Sequence, residues 1–156
     1  MLNIIKNIIF KIIYVLVIIY LIIFIPVIWG YKPLVIVSGS MEPILKVGGI
    51  LYYKTIPLDD YKKDDILVYR IPNHNVSHRI VEINNNSFLT KGDVNEYLDN
   101  PVYFSQILGK GTNFSIPLIG YYANFVYNHK YLLYISIFVV GIDYYYSSKK
   151  KNEKDN

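Results

Sequence analysis

From Ile12 to Tyr31 the chain runs for twenty residues without a single charge, and isoleucine, valine, leucine and phenylalanine dominate the run. At helical rise such a segment is roughly 30 Å long, about the thickness of the hydrocarbon layer of a bilayer. A cleavable secretory leader has a shorter apolar core of about 7–15 residues followed by small residues. Here the run leads instead into Pro26-Val27-Ile28-Trp29-Gly30-Tyr31-Lys32. We read 12–31 as an uncleaved membrane anchor, with Trp29 and Tyr31 in the aromatic belt at its outer end. A second apolar run, Tyr131 to Tyr146, lies between Lys130 and the cluster Lys149-Lys150-Lys151. It is short and holds Asp143, so a helix lying on the surface competes there with a second span.

Charge fits the same picture. Sixteen Lys and Arg face twelve Asp and Glu, a net +4, and the isoelectric point is near 9.0. Much of the surplus flanks the apolar runs: Lys6 and Lys11 on one side, Lys149, Lys150, Lys151 and Lys154 on the other. Cations placed there read as cytoplasmic membrane flanks rather than as a nucleic-acid face. The expected organisation is a cytoplasmic N-terminus (1–11), an anchor (12–31), an extracytoplasmic domain (32–128), a second transmembrane helix (129–148) and a charged, disordered cytoplasmic tail (149–156). The protein is expected in the cell membrane with the bilayer itself as a partner, and no nucleic acid. There is no cysteine, which removes disulfides and thiolate chemistry.

Between the anchors the pattern changes. Leu34–Val37, Ile50–Tyr53, Ile66–Tyr69 and Ile80–Ile83 are short β-branched and aromatic runs bounded by turn residues, with weaker strand signals at Ser87–Thr90 and Val102–Leu108. Helical periodicity is absent, so a mainly β fold follows: a compact antiparallel domain of about 95 residues, large enough to bury one core.

Three segments in that domain could carry chemistry. Ser38-Gly39-Ser40-Met41-Glu42-Pro43 follows a strand, and its glycine permits a tight turn that presents a hydroxyl beside backbone N–H groups. Taken alone it is an ordinary loop. A serine nucleophile needs a base, and the chain has three histidines: His74 in a loop, His78 at the start of a strand-like run, and His129 beside the second apolar run. Lone histidines are most often structural. The third segment, Thr90-Lys91-Gly92-Asp93 with Asp99 six residues on, brings two carboxylates and a glycine suited to a close backbone approach. By themselves Asp93 reads as a turn cap and Asp99 as a solvated loop acid.

Together, Ser-Gly-Ser-Met-Glu-Pro at 38–43, Ser-His-Arg-Ile-Val at 77–81 and Thr-Lys-Gly-Asp at 90–93 resemble the type I signal peptidases, closest to their archaeal and endoplasmic-reticulum type. Ile116-Pro117-Leu118-Ile119-Gly120-Tyr121 looks like that family's closing segment, so the resemblance covers about 34–121. It departs at Gly48-Gly49 and Asp64-Asp65, where the family often has Gly-Asp, which puts the local turn geometry in question. The resemblance implies an antiparallel β catalytic domain and a serine endopeptidase that removes signal peptides from exported preproteins, with no cofactor and no metal. It makes Ser40 the nucleophile, His78 the base and Asp93 the first candidate to orient the imidazole, with Asp99 as a second, supporting acid. Ser38 carries over as an oxyanion donor, and Met41 joins it as a substrate-binding position. Lys91 is a rival base, because bacterial members use lysine, but it belongs to the acid motif. The implied partners are signal-peptide-bearing preproteins and the secretion translocon. Two rivals are a self-cleaving repressor of the LexA type, which would need a DNA-binding helix-turn-helix in place of the apolar run, and a non-catalytic membrane-anchored subunit or binding module. Asn75-Val76-Ser77, Asn85-Asn86-Ser87 and Asn113-Phe114-Ser115 also match the N-glycosylation pattern.

Overall fold

The computed structural model describes residues 2–152. It divides into two units, one formed by the terminal helices and one spanning Pro26–Ala123. The part of the expected charged tail beyond 152 lies outside the described residues.

In the first unit, α1 (Leu2–Phe24) begins well before the expected residue 12. Lysine is a good helix former, so Lys6 and Lys11 do not stop a helix that isoleucines surround. Past Phe24 the chain tightens into a 3-10 stretch, Ile25–Trp29, where Pro26 has no N–H to continue the ladder. Residues Ile4–Trp29 have mean hydropathy 3.1, and the helix is long and apolar enough to cross a membrane. Many of its isoleucines are exposed, among them Ile5, Ile8, Ile12 and Ile18, while Ile23 is buried. Apolar helix surface left exposed in this way has lipid as its natural solvent. At the other end of the chain, α2 (Ile119–Asn128) and α3 (Lys130–Asn152) are long and apolar enough to cross a membrane only when taken as a pair, which bends by 93°. The break falls at His129, whose Nδ1 and N–H both lie against the Phe125 carbonyl. Sequence patterning gives no sign of α2, and α3 continues past 148 into the lysine cluster. α3 packs beside α1, and the Tyr14 hydroxyl donates to the Val140 carbonyl at 3.4 Å.

In the second unit seven antiparallel strands form one sheet. These are β1 (Lys32–Val35), β2 (Ile50–Lys54), β3 (Ile66–Ile71), β4 (His74–Ile83), β5 (Ser87–Lys91), β6 (Val102–Tyr103) and β7 (Ile107–Ile116). Their order is β1-β2-β7-β3-β4-β5-β6. The mainly β expectation holds, with helices at the termini. β3 and β4 form a hairpin over Pro72-Asn73, with Ile71 opposite His74.

β3 explains the core. Ile66, Leu67, Val68 and Tyr69 are all buried, so this strand is covered on both faces. Side chains alternate along a strand: Ile66 and Val68 meet Ile36, Met41, Leu45 and Leu51 on one side. Leu67 and Tyr69 meet Tyr61, Ile80, Phe88 and Val102 on the other. Each fully buried aliphatic side chain contributes about 1.5–3 kcal/mol.

Two differences from the sequence reading have local causes. The single run expected at 102–108 is split by a 3-10 turn, Phe104–Gln106, because the Gln106 side chain accepts the Tyr103 N–H at 2.8 Å. Most of β7, Gly109 to Ile116, lies beyond the strand signals read from the sequence. It is a strand because β2 and β3 pair with it on either side.

Candidate active site

The serine segment is placed by its neighbours on the sheet. Beyond β1, Ile36 exchanges backbone hydrogen bonds with the Gly48-Gly49 turn. The chain then turns back through Glu42 N–H to Gly39 O at 3.0 Å and Leu45 N–H to Met41 O at 2.9 Å. Met41 is 1% exposed and pinned in the core, so Ser40 is held one residue from a fixed point. Met41's side chain therefore stands in the core rather than at the site surface. The Gly48-Gly49 departure has its own geometry: Gly48 sits at φ +76, with the Tyr121 ring directly over it.

His78 comes from the interior of β4, not from the start of a strand. It lies opposite Leu67 and two residues before buried Ile80, so its ring enters the face shared by Tyr69 and Thr90. Burial leaves it 8% exposed. Nε2 lies 3.0 Å from Ser40 Oγ, and Nδ1 lies 2.6 Å from Asp99 Oδ2. Because a carboxylate only accepts, Nδ1 carries the hydrogen and Nε2 is left free to take the proton of Ser40.

Asp99 is held firmly. The Thr90 hydroxyl donates to the same Oδ2 at 2.7 Å and the Tyr69 hydroxyl at 3.2 Å. The Asp99 N–H donates to the Thr90 carbonyl at 2.8 Å. Burial, and then the Asp99 charge, push the Tyr69 phenol up to about 12 against the opposing Thr90 hydrogen bond, so it stays a donor. Neither Thr90's hydroxyl nor Tyr69 stands out in sequence as a site residue. The signal available was Thr90 at the head of the acid motif.

The structure does not bring Asp93 to the imidazole. Its two oxygens take the Arg79 guanidinium at 2.8 and 2.7 Å, and Arg79 also donates to the Asp64 carbonyl at 2.8 Å. Side chains of neighbouring strand residues point to opposite faces, so Arg79 carries Asp93 away from the face that His78 enters. Asp93 is the first candidate from the motif and spacing leaves the choice open; the contact with His78 is made by Asp99. Lys91 lies opposite Arg79 in the β4–β5 register and so shares Arg79's face, not Thr90's. The other sequence candidates separate: His74 is exposed at the first position of β4, and His129 is in the α2–α3 bend.

Gly92 makes the close approach that its place in the motif suggests. A Cβ there would lie 2.7 Å from the Ser40 carbonyl oxygen. The Val94 N–H bonds that same oxygen at 3.1 Å. Ser38 Oγ lies 3.4 Å from Ser40 Oγ.

Ser40 and His78 open into a cleft lined by Leu34–Ser38 on one side and His74–Ser77 on the other, with Asn95 also in its wall. Both flanks are strand edges. β1 is the first strand of the sheet, and β4 pairs with β5 only from Arg79 onward. Asn75 of the first glycosylation pattern lies in this wall.

A hydroxyl, an imidazole and a carboxylate in line, beside a cleft between two strand edges, have the geometry of a serine peptidase of antiparallel β fold. Sequence comparison finds relatives named as signal peptidases. Signal peptidase I W of Bacillus subtilis (strain 168) is 33% identical over 99 residues, which cover 59% of this chain and 52% of the relative. The signal peptidase complex catalytic subunit SEC11C of Rattus norvegicus is 26% identical over 126 residues, 70% of this chain and 65% of the relative. The putative signal peptidase complex catalytic subunit SEC11B of Homo sapiens is 28% identical over 126 residues, 71% and 75%. No family model matches the chain. The chain spans about half of signal peptidase I W and about two thirds of SEC11C. By sequence the chain is thus similar to signal peptidase I W and to SEC11 signal peptidase catalytic subunits.

Proposed function

We propose that the protein is a membrane-anchored serine endopeptidase that removes signal peptides from exported preproteins. The observation that carries the reading is the continuous Ser40–His78–Asp99 hydrogen-bond chain at the mouth of the cleft. Ser40 attacks the carbonyl at the end of the signal peptide while His78 Nε2 takes its proton. An acyl-enzyme forms, the amine of the mature protein leaves with that proton, and water then releases the signal peptide. Asp99 keeps the imidazole in the reactive tautomer and offsets its charge. The Ser38 hydroxyl and the Ser40 N–H hold the oxyanion. Asp93 acts at one remove, through Arg79 and the turn beside Ser40.

The substrate lies extended between the two strand edges and adds main-chain hydrogen bonds to them. Ile4–Trp29 anchors the enzyme, and α2 with α3 returns the chain toward the membrane. The lysines flanking both apolar segments support a reading with those flanks in the cytoplasm and the β domain on the outer face of the cell membrane. Such a location leaves the domain beside the secretion translocon, where preproteins emerge.

The test is cleavage of a preprotein with small residues at the first and third positions before the cut, by the full chain in detergent. Wild type should cut, Ser40→Ala and His78→Ala should fall by at least about 10³-fold, and Lys91→Ala should stay within a few-fold. Activity retained in Ser40→Ala, or lost in Lys91→Ala but not His78→Ala, overturns the assignment.

A further inference from the structure

The turn after β5 carries a polar side chain that its own fold does not use. Of residues 93–98, Asn95 is the one that lines the cleft with Ser38, Ser40 and His78. Its N–H closes the turn onto the Gly92 carbonyl at 3.0 Å, and Val94 beside it is tied to the Ser40 carbonyl. Backbone bonds thus set Asn95 relative to Ser40 before any substrate arrives. The carboxamide lies over Gly92: a Cβ at 92 would be 2.8 Å from Asn95 Nδ2 and 2.7 Å from the Ser40 oxygen. The missing side chain at 92 makes room for both groups. Among the described residues the Asn95 carboxamide makes no hydrogen bond, although it brings two N–H donors. A peptide that fills the cleft strips water from it, and a donor left unanswered there then costs binding. An extended peptide offers such a donor a main-chain carbonyl whatever its side chains.

We propose that Asn95 is a substrate-binding residue whose Nδ2 donates to a main-chain carbonyl of the bound peptide beside the scissile bond. This rests on the peptidase reading above and adds to it a contact with the substrate that is separate from the Ser–His–Asp chain.

The experiment uses the full chain in detergent and compares wild type with Asn95→Ala and with Asn95→Asp, which keeps the shape and removes the donors. Two rates are read: cleavage of a preprotein, resolved into kcat and KM, and covalent labelling of Ser40 by a small fluorophosphonate that has no peptide chain. Both variants should lose about 10- to 100-fold in kcat/KM for the preprotein, with labelling within twofold of wild type. Asn95→Asp cutting like wild type overturns the inference, because no donor is then needed. Labelling that falls in step with cleavage also overturns it, since Asn95 would then only support the serine turn. Either result leaves the peptidase reading intact. A wild type that cleaves nothing sinks that reading and this inference with it.

Discussion

Asp99 Oδ2 lies 2.6 Å from His78 Nδ1, and that single oxygen also receives the hydroxyls of Thr90 and Tyr69. Three donors from β3, β4 and β5 therefore converge on one atom supplied by the loop that follows. The imidazole is aimed at Ser40 because the carboxylate behind it is itself fixed.

That convergence separates the two aspartates by experiment. Asp99→Asn should cut kcat by about 10³–10⁴-fold with little change in KM, because the amide favours the wrong imidazole tautomer. Asp93→Asn breaks a bidentate pair whose side chains are 23% and 18% exposed. It should cost about 1 kcal/mol of stability and a far smaller loss of rate. Preprotein kinetics alongside urea unfolding distinguish the two. Equal losses of kcat from both would contradict the division of roles.

Gly92→Ala puts a methyl group 2.7 Å from the Ser40 carbonyl oxygen. Backbone cannot yield as a flexible side chain does, so the serine turn must move. A displacement near 1 Å is worth about 10²-fold in rate. We expect that loss in both preprotein cleavage and fluorophosphonate labelling, with far-ultraviolet circular dichroism unchanged.

The Gly48 turn offers a stability test away from the site. Its φ of +76 opposes a side chain, and so does the Tyr121 ring, 2.1 Å from where a Cβ would stand. Gly48→Ala should destabilise the protein by about 1–3 kcal/mol. Tyr121 is 60% exposed, so Tyr121→Ala in the same chain should relieve the steric part and leave the backbone part, about 1 kcal/mol. Urea midpoints of the four chains decide the matter.

Alkali should loosen the β domain through two phenols. Burial raises Tyr61 and Tyr69 from 10.0 to about 12. The folded chain holds these protons more tightly than the unfolded chain does, so their contribution is complete below pH 10 and fades as pH climbs from 10 to 12. Melting temperature should drop through that window, and less steeply in Tyr69→Phe. An identical slope in the variant would show that this phenol is not involved.

Much was legible in the chain itself because it depends on neighbours in sequence. The uncharged run starting at Ile12 specifies a lipid-facing helix from composition alone, and Ile66–Tyr69 reads as strand because all four side chains suit a pleated, buried surface. Gly92 beside Asp93 signalled a close approach, and the fold places the Ser40 carbonyl there. Serine, histidine and acid segments were recognisable as motifs in order along the chain.

Which carboxylate meets His78 was another matter. Asp93 stands in the motif and Asp99 beyond it, and spacing along the chain cannot separate them. The choice is made by β4–β5 pairing, which sets Arg79 and Lys91 on one face of the sheet and His78 and Thr90 on the other. Arg79 then claims Asp93, and the turn at 92–95 returns the chain so that Asp99 reaches the imidazole. Met41 is similar: its motif neighbours suggested the cleft, while packing against Ile36, Leu45, Leu51, Ile66 and Val68 holds its side chain in the core. Composition and local pattern determine what each segment is, because those preferences act over a few residues. Strand register decides which side chains meet, because one step along a strand reverses the face on which each side chain stands.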